Sequence, residues 1–215
     1  MTAAMPGAVL EIVRPHLPVA AVDHVARAVS RLQLDVVVVR PRRTKLGDHR
    51  PPRPPARAHR VTINADLNPW AFLTTLLHEV AHATTWERHA GRRRRLRPHG
   101  PEWRTEFSAL LAPLVDARVF PEGLAVAVLR SLARPAAATC SDRGLLLALA
   151  RYDQRRDDRV RVEDLADGAW FRIDGGHAFR AGRPVRTRRR CFEAGTGREY
   201  RVHGLLLVEP LAAPP

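Results

Sequence analysis

The period of the apolar positions changes several times along the chain, and each change marks a predicted element. Val19, Val22, Val25, Val29 and Leu32 recur at helical spacing, which predicts a helix over Pro18 to Leu32. Leu34 to Arg40 follows as a strand, and its unbroken Val36 to Val39 run suits a strand covered on both faces. The proline- and arginine-rich stretch Pro41 to Ala58 reads as a loop with room for a short strand around Thr44 to His49. Val61 and Ile63 then alternate with polar neighbours, which predicts a strand over Arg60 to Ala65. After Asn68-Pro69, an N-cap and a first-turn proline, the helical period returns. Leu73, Leu76, Leu77, Val80 and Thr84 share one arc of the wheel, whereas Ala71, Thr75, His78 and His82 fall on another. The pattern predicts a helix that buries one side against a small antiparallel sheet and turns its histidines into a separate space.

Beyond this helix, Gly91 to Pro98 is a basic connector, and Pro101 opens a helix whose apolar face is Trp103, Phe107, Leu110, Leu111 and Leu114, with Pro113 expected to kink or end it. Further helices are predicted near Glu122 to Ala133 and over Ser141 to Tyr152, with Ser141 as N-cap. From Arg159 the character changes to short strands separated by glycine-containing turns: Val160 to Val162, Trp170 to Ile173, His177 to Arg180, Val185 to Phe192 and Tyr200 to Val208. The fold class is therefore α+β. Its expected organisation is an N-terminal helical segment over 1–33, a core over 34–118, a helical segment over 119–153 and a small all-β module over 159–209, reached through the charged Gln154 to Asp158.

Composition alters this picture in three places. A chain of 215 residues with 45% hydrophobic content can bury a sizeable core. Its opening stretch, interrupted by Glu11, Arg14, His16 and prolines, is neither a signal-peptide core nor a membrane span, so a cytoplasmic location without membrane contact is expected. Cys140 and Cys191 are too few for a disulfide framework and read as buried free thiols. The formal charge of +14 comes almost wholly from arginine, with Lys45 the one lysine, a skew that biased base composition produces by itself. Such a charge nonetheless attracts polyanions. Two clusters stand out, Arg92, Arg93, Arg94 and Arg95 with Arg97, and Arg186 with Arg188 to Arg190; a solvated loop or strand edge is the plainer reading of each. Because the first cluster lies between proposed metal ligands, Arg92 to Arg95 is expected to contact nucleic-acid phosphates.

The chemistry concentrates in His78-Glu79-Val80-Ala81-His82. Histidines at i and i+4 lie on one helix face within reach of a single tetrahedral zinc ion, and the glutamate between them can take the proton of a metal-activated water. A third ligand is needed. The glycine and histidine that a metzincin places after its second motif histidine are here Thr85 and Arg88, which excludes that class. Glu102 and His99 remain as candidates, with His89, expected beyond the helix end, as a weaker one.

These residues resemble the SprT-like metallopeptidases, a family that includes the DNA–protein crosslink protease Spartan. The resemblance spans roughly Leu34 to Val115 and rests on the His78 to His82 motif followed by His99-Gly100-Pro101-Glu102-Trp103, with support from Thr44-Lys45-Leu46-Gly47 and Asn64-Ala65-Asp66-Leu67. It implies a zincin-like core, one Zn2+ held by His78, His82 and His99, Glu79 as catalytic base, and a protein or peptide substrate, with DNA or DNA-bound proteins as partners. The four-cysteine zinc ribbon of many relatives is missing, since the β-module holds only Cys191. Local geometry also favours His99, because Gly100 and Pro101 let the chain turn so that His99 points back, leaving Glu102 in a helix first turn that stabilises its charge. The expected function is a zinc-dependent metallopeptidase. Its rival is a nucleic-acid-binding protein that keeps zinc as a structural staple, a role that gives Glu79 nothing to do.

Overall fold

The computed structural model describes residues 6–42, 45–89, 96–133, 142–153, 158–173 and 175–215. The chain divides into two compact units, Met1–Gln154 and Arg155–Pro215. Together they form an α+β structure with six α-helices and two sheets among the described residues. None of these helices is long and apolar enough to cross a membrane.

In the first unit the elements run α1 (Pro6–Val13), α2 (Val22–Val29), β1 (Leu34–Val39), β2 (Gly47–Arg50), β3 (His59–Asn64), α3 (Pro69–His89), α4 (Pro101–Asp116), α5 (Glu122–Ala133) and α6 (Arg143–Ala150). The helix expected from Pro18 begins instead with a single 3-10 turn, Val19–Ala21, and α1 precedes it as a separate element, since Pro15 and Pro18 interrupt any longer helix. Segments 1–33, 34–118 and 119–153 all contribute to one core, from Val9 and Val13 through Leu73, Leu76 and Leu77 to Leu124 and Leu149.

The sheet is mixed, not antiparallel as expected. Its order is β1-β3-β2, with β1 parallel and β2 antiparallel to β3. Burial explains the insertion of β3: His59, Val61, Ile63 and Asn64 are all buried, whereas the short polar β2 and the half-buried end of β1 suit edges. The Val36 to Val39 run is accordingly less covered than its composition suggested.

Helix α3 is the centre of the unit. Asn68 caps it as expected, its Oδ1 accepting from the Ala71 amide at 3.0 Å, while its Nδ2 donates to the Leu149 carbonyl and to Asp153, tying the cap to the end of α6. Leu73, Leu76, Leu77 and Val80 are fully buried, each worth roughly 1.5–3 kcal/mol. The opposite arc is buried too, through Ala71, Thr75, His78 and Glu79, so the helix is enclosed on both sides and not on one. Pro113 does not end α4, which continues to Asp116; the proline leaves the carbonyl of Ala109 without its helical donor, and Ala109 is exposed, so water can serve it. The cap of α6 is Asp142, whose carboxylate accepts from the Leu145 amide; Ser141, like Cys140, lies outside the described residues.

The second unit is an antiparallel six-stranded sheet, order β4-β9-β5-β6-β7-β8, with β4 (Val160–Arg161), β5 (Trp170–Arg172), β6 (Ala178–Val185), β7 (Arg188–Glu193), β8 (Glu199–His203) and β9 (Leu207–Leu211). Its core is Val162, Leu165, Phe171, Phe179, Ala181, Cys191 and Val208. Two predicted strands are each divided by a turn: Arg186, with φ 54°, and Thr187 link β6 to β7, and Gly204 begins the bend between β8 and β9. Gln154 to Arg156 and Asp157, most of the expected linker, lie outside the described residues.

Candidate metal centre

Two elements bring the candidate ligands together. Helical spacing on α3 sets His78 and His82 one turn apart, and the turn before α4 delivers His99. That turn closes through the Gly100 amide donating to the Arg97 carbonyl at 2.9 Å. The residue in the left-handed region is His99 itself, at φ 59°, and not Gly100, which has φ −68°. Glycine is required at 100 for space: a Cβ there would lie 2.9 Å from the Arg97 carbonyl oxygen. A histidine held in the left-handed region is uncommon, and such backbone is typical of residues fixed for function.

The outcome is a triangle of nitrogens. His78 Nε2 lies 3.2 Å from His82 Nε2 and 3.0 Å from His99 Nε2, and the third side is 3.1 Å. Four ligands at zinc–nitrogen distances of 2.0–2.1 Å would stand about 3.3 Å apart, so the three imidazoles match a tetrahedral set within a few tenths of an ångström. They form the one group of potential ligands with donor atoms within 4.8 Å of one another among the described residues. Glu102 and His89 are outside it, and His89 is the last residue of α3, not beyond its end as expected. Burial, reinforced for His78 and His82 by neighbouring imidazoles, pushes the pKa of all three histidines below the ordinary value, His82 to about 3. Neutral rings with lone pairs aimed at one point are the form a metal ion binds.

Trp103 forms the rear wall. Its ring lies 4.6 Å from His78, 5.3 Å from His82 and 4.7 Å from His99, and its Nε1 donates to the His78 carbonyl. One indole thus fixes all three ring orientations. A cleft of about 550 Å³ opens in front, lined by the three histidines, Glu79, the segment Lys45 to His49 that leads into β2, and Arg97. Comparison with protein-family models, curated proteins and solved structures gave no match. The centre therefore rests on its own geometry.

Glu79 is 5% exposed, and its carboxyl pKa is pushed up to about 8, first by burial and then by Asp48, against the pull of Arg42 and Lys45. The loop ahead of it is pinned: Arg42 donates to Asn64 and Thr62, and Asn64 returns hydrogen bonds to the Arg42 and Lys45 carbonyls. This clasp presses Gly47 onto Glu79 so closely that a Cβ at 47 would lie 2.6 Å from Glu79 Oε1 and 2.7 Å from Thr75 Cγ2. The glycine of the Lys45-Leu46-Gly47 stretch is therefore required by close approach.

Sequence reasoning passed over His49 and His59. The period-2 alternation of β2 sets Gly47 and His49 on one side, and His49 lies parallel to His82 at a centroid distance of 6.0 Å. Its Nε2 is 2.8 Å from His59 Nδ1, and His59 Nε2 is 2.9 Å from Glu87 Oε1. The strand period, had it been applied to β2, was the available signal. The basic run Arg92 to Arg95 lies outside the described residues. The other cluster is split by the alternation of β7: Arg189 is buried and bonded to backbone carbonyls, whereas Arg188 and Arg190 lie on the opposite face.

Proposed function

We propose that the chain is a zinc-dependent metallopeptidase of the SprT-like type, with a zincin-like core and Glu79 as general base. The observation that carries this reading is the convergence of three neutral imidazoles beside a buried carboxylate at the floor of a cleft. His78, His82 and His99 would hold the zinc ion, which when bound would supply Lewis-acid activation of a water and of the scissile carbonyl. Glu79 performs the proton transfers, taking a proton from the attacking water and passing it to the leaving amine. Arg42 and Lys45 favour its carboxylate form but only partly offset burial and Asp48, which raise its pKa to about 8, so a cation at the three histidines would be needed to favour the base form. Trp103 excludes solvent behind the rings. β2 pairs with β3 along one edge, and its other edge, unpaired among the described residues, borders the cleft, where an extended peptide can add to it.

Substrates associated with DNA fit the second unit. Register sets Arg180, Phe192 and Glu199 opposite one another, with Arg190 opposite Arg201 and Arg188 opposite His203, so one sheet face carries four arginines around an aromatic ring. Arg180 and Arg190 lie 5.8 and 5.9 Å from the Phe192 centroid. Stacking and phosphate neutralisation on such a face suit a single strand. The rival reading, a nucleic-acid-binding protein with a structural zinc, leaves a buried Glu79 facing the cleft without a purpose.

Glu79→Gln decides between them. The variant is expected to bind one zinc per chain and to lose casein cleavage, measured with and without single-stranded DNA; undiminished cleavage would sink the assignment.

A further inference from the structure

We propose that Glu87, His59 and His49 form a hydrogen-bond chain of fixed polarity that makes His49 a substrate-contacting group, its Nδ1 accepting a backbone N–H of the bound peptide. The proposal rests on the metallopeptidase reading for its substrate, and on the chain's own hydrogen bonds for its polarity.

The polarity follows link by link. A carboxylate only accepts, so the 2.9 Å contact to Glu87 Oε1 assigns a proton to His59 Nε2. The hydrogen-bond chain is proposed with His59 as the neutral imidazole, in which Nδ1 then has only a lone pair; a doubly protonated His59 would donate from Nδ1 and reverse the polarity. The 2.8 Å contact from His59 Nδ1 to His49 Nε2 therefore requires His49 to donate. One proton remains per neutral ring, so His49 Nδ1 is left as an acceptor, and it makes no hydrogen bond to the described residues. His49 is the member of this chain that lines the cleft, parallel to His82, while Gly47 on the same side of β2 touches Glu79. His49 thus stands on the wall that faces the general base and one ligand.

The arrangement is costly for a purely structural purpose. His59 is completely buried, and its ring is fixed edge-on by Trp86 at 5.2 Å. An apolar residue there would avoid desolvating two ring nitrogens. What the polar chain adds is a defined tautomer at its cleft end, fixed from a half-exposed carboxylate in the last turn of α3. A peptide N–H is the complementary group, because an acceptor rejects a carbonyl presented at the same point.

Two measurements on the full zinc-loaded chain test this. In long-range 1H–15N spectra of histidine-labelled protein, His59 and His49 are expected as neutral rings protonated at Nε2, each assigned by its Gln variant. Glu87→Gln, whose amide can also donate, is expected to release the polarity, so that His49 protonated at Nδ1 appears. In kinetics on a peptide taken from a casein cleavage site, Glu87→Gln and His49→Gln are expected to raise KM about fivefold, the equivalent of one neutral hydrogen bond, with kcat within about twofold and zinc content unchanged. Glu87→Asp is expected to recover much of the loss. His49 protonated at Nδ1 in the unmodified protein would overturn the chain of polarity. An unchanged KM in His49→Gln at full zinc would overturn the substrate contact. Absence of any cleavage by the unmodified protein would defeat the metallopeptidase reading and the contact with it, while the spectra alone would still judge the hydrogen-bond chain.

Discussion

Arg189 in the second unit and the histidine cluster in the first are both buried polar groups, and their surroundings differ in kind. Every nitrogen of the Arg189 guanidinium is matched: Nε donates to the Gly182 carbonyl, Nη1 to the Val162, Glu163 and Leu165 carbonyls, and Nη2 to Asp167. Donors meet acceptors on all three nitrogens, and the buried group is bound to its own unit. In the histidine cluster three Nε2 atoms face one another at 3.0–3.2 Å, a convergence of like groups that a shared cation would satisfy all at once. Burial alone therefore does not identify a site. The match between donors and acceptors separates the arginine, whose partners are in the fold, from the histidines, which could hold a metal ion.

Breaking the saturated cluster should have the largest effect. Arg189→Met keeps much of the side-chain length but leaves four carbonyls without their donor, a loss of about 3–5 kcal/mol. Domains of this size are stable by only several kcal/mol. The expected result, read by hydrogen exchange, is loss of amide protection from Val160 to Leu211 with zinc binding intact. If protection persists, the guanidinium network is not what holds the sheet together.

Breaking the converging cluster should change stability only when metal is present. His99→Ala removes one of three ligands and is expected to lower zinc affinity by at least about a hundredfold, since structural zinc sites bind with about 10–16 kcal/mol shared over their ligands. The metal-free protein should melt within a few degrees of the unmodified one, while the upward shift that zinc produces in the latter should largely vanish. Equal zinc-dependent shifts in both proteins would remove His99 from the ligand set.

The same contrast explains what was legible in the sequence. Spacing along one element is readable, so His78 and His82 at i and i+4 point to a metal without any tertiary information. The cap at Asn68 and the apolar positions of α3 are equally local. What could not be read depends on partners far along the chain. The mixed order of the first sheet is set by which strand the core accepts at its centre, and His59 acquires its meaning from Glu87, 28 residues away. The turn at Arg186 uses a left-handed residue without the glycine or asparagine that marks such turns, which is why one long strand was expected over Val185 to Phe192. For the same reason, the turn before α4 is read from the sequence as the work of Gly100 and Pro101, whereas its left-handed residue is His99.

A third perturbation sharpens the comparison inside the cleft. Gly47→Ala adds a methyl group 2.6 Å from Glu79 Oε1, and both β2 and the carboxylate are confined, the one by the Asn64 clasp and the other by burial. Overpacking of this kind costs about 1–3 kcal/mol. Because the clash falls on the base and not on a ligand, cleavage should drop about tenfold or more at full zinc occupancy. Parallel loss of zinc and activity would mean that β2 positions the ligands instead.

Glu102→Ala should have the smallest effect, and it tests the assignment of His99 from the other side. Glu102 stands in the first turn of α4, where the N-cap is Gly100, a residue with no side chain to accept from the exposed amides. A carboxylate at that place is stabilised by the helix dipole by about 0.3–1 kcal/mol, and this is the stability Glu102→Ala is expected to lose. Glu102 lies outside the group of donors that converge on one point, so zinc affinity should fall by no more than a few-fold, through a looser turn at His99. Paired zinc titrations of His99→Ala and Glu102→Ala give the decisive ratio. A large loss in the first and a small one in the second fits a three-histidine centre, whereas the reverse order would make the carboxylate the third ligand and leave His99, despite its strained backbone, with no part in holding the metal.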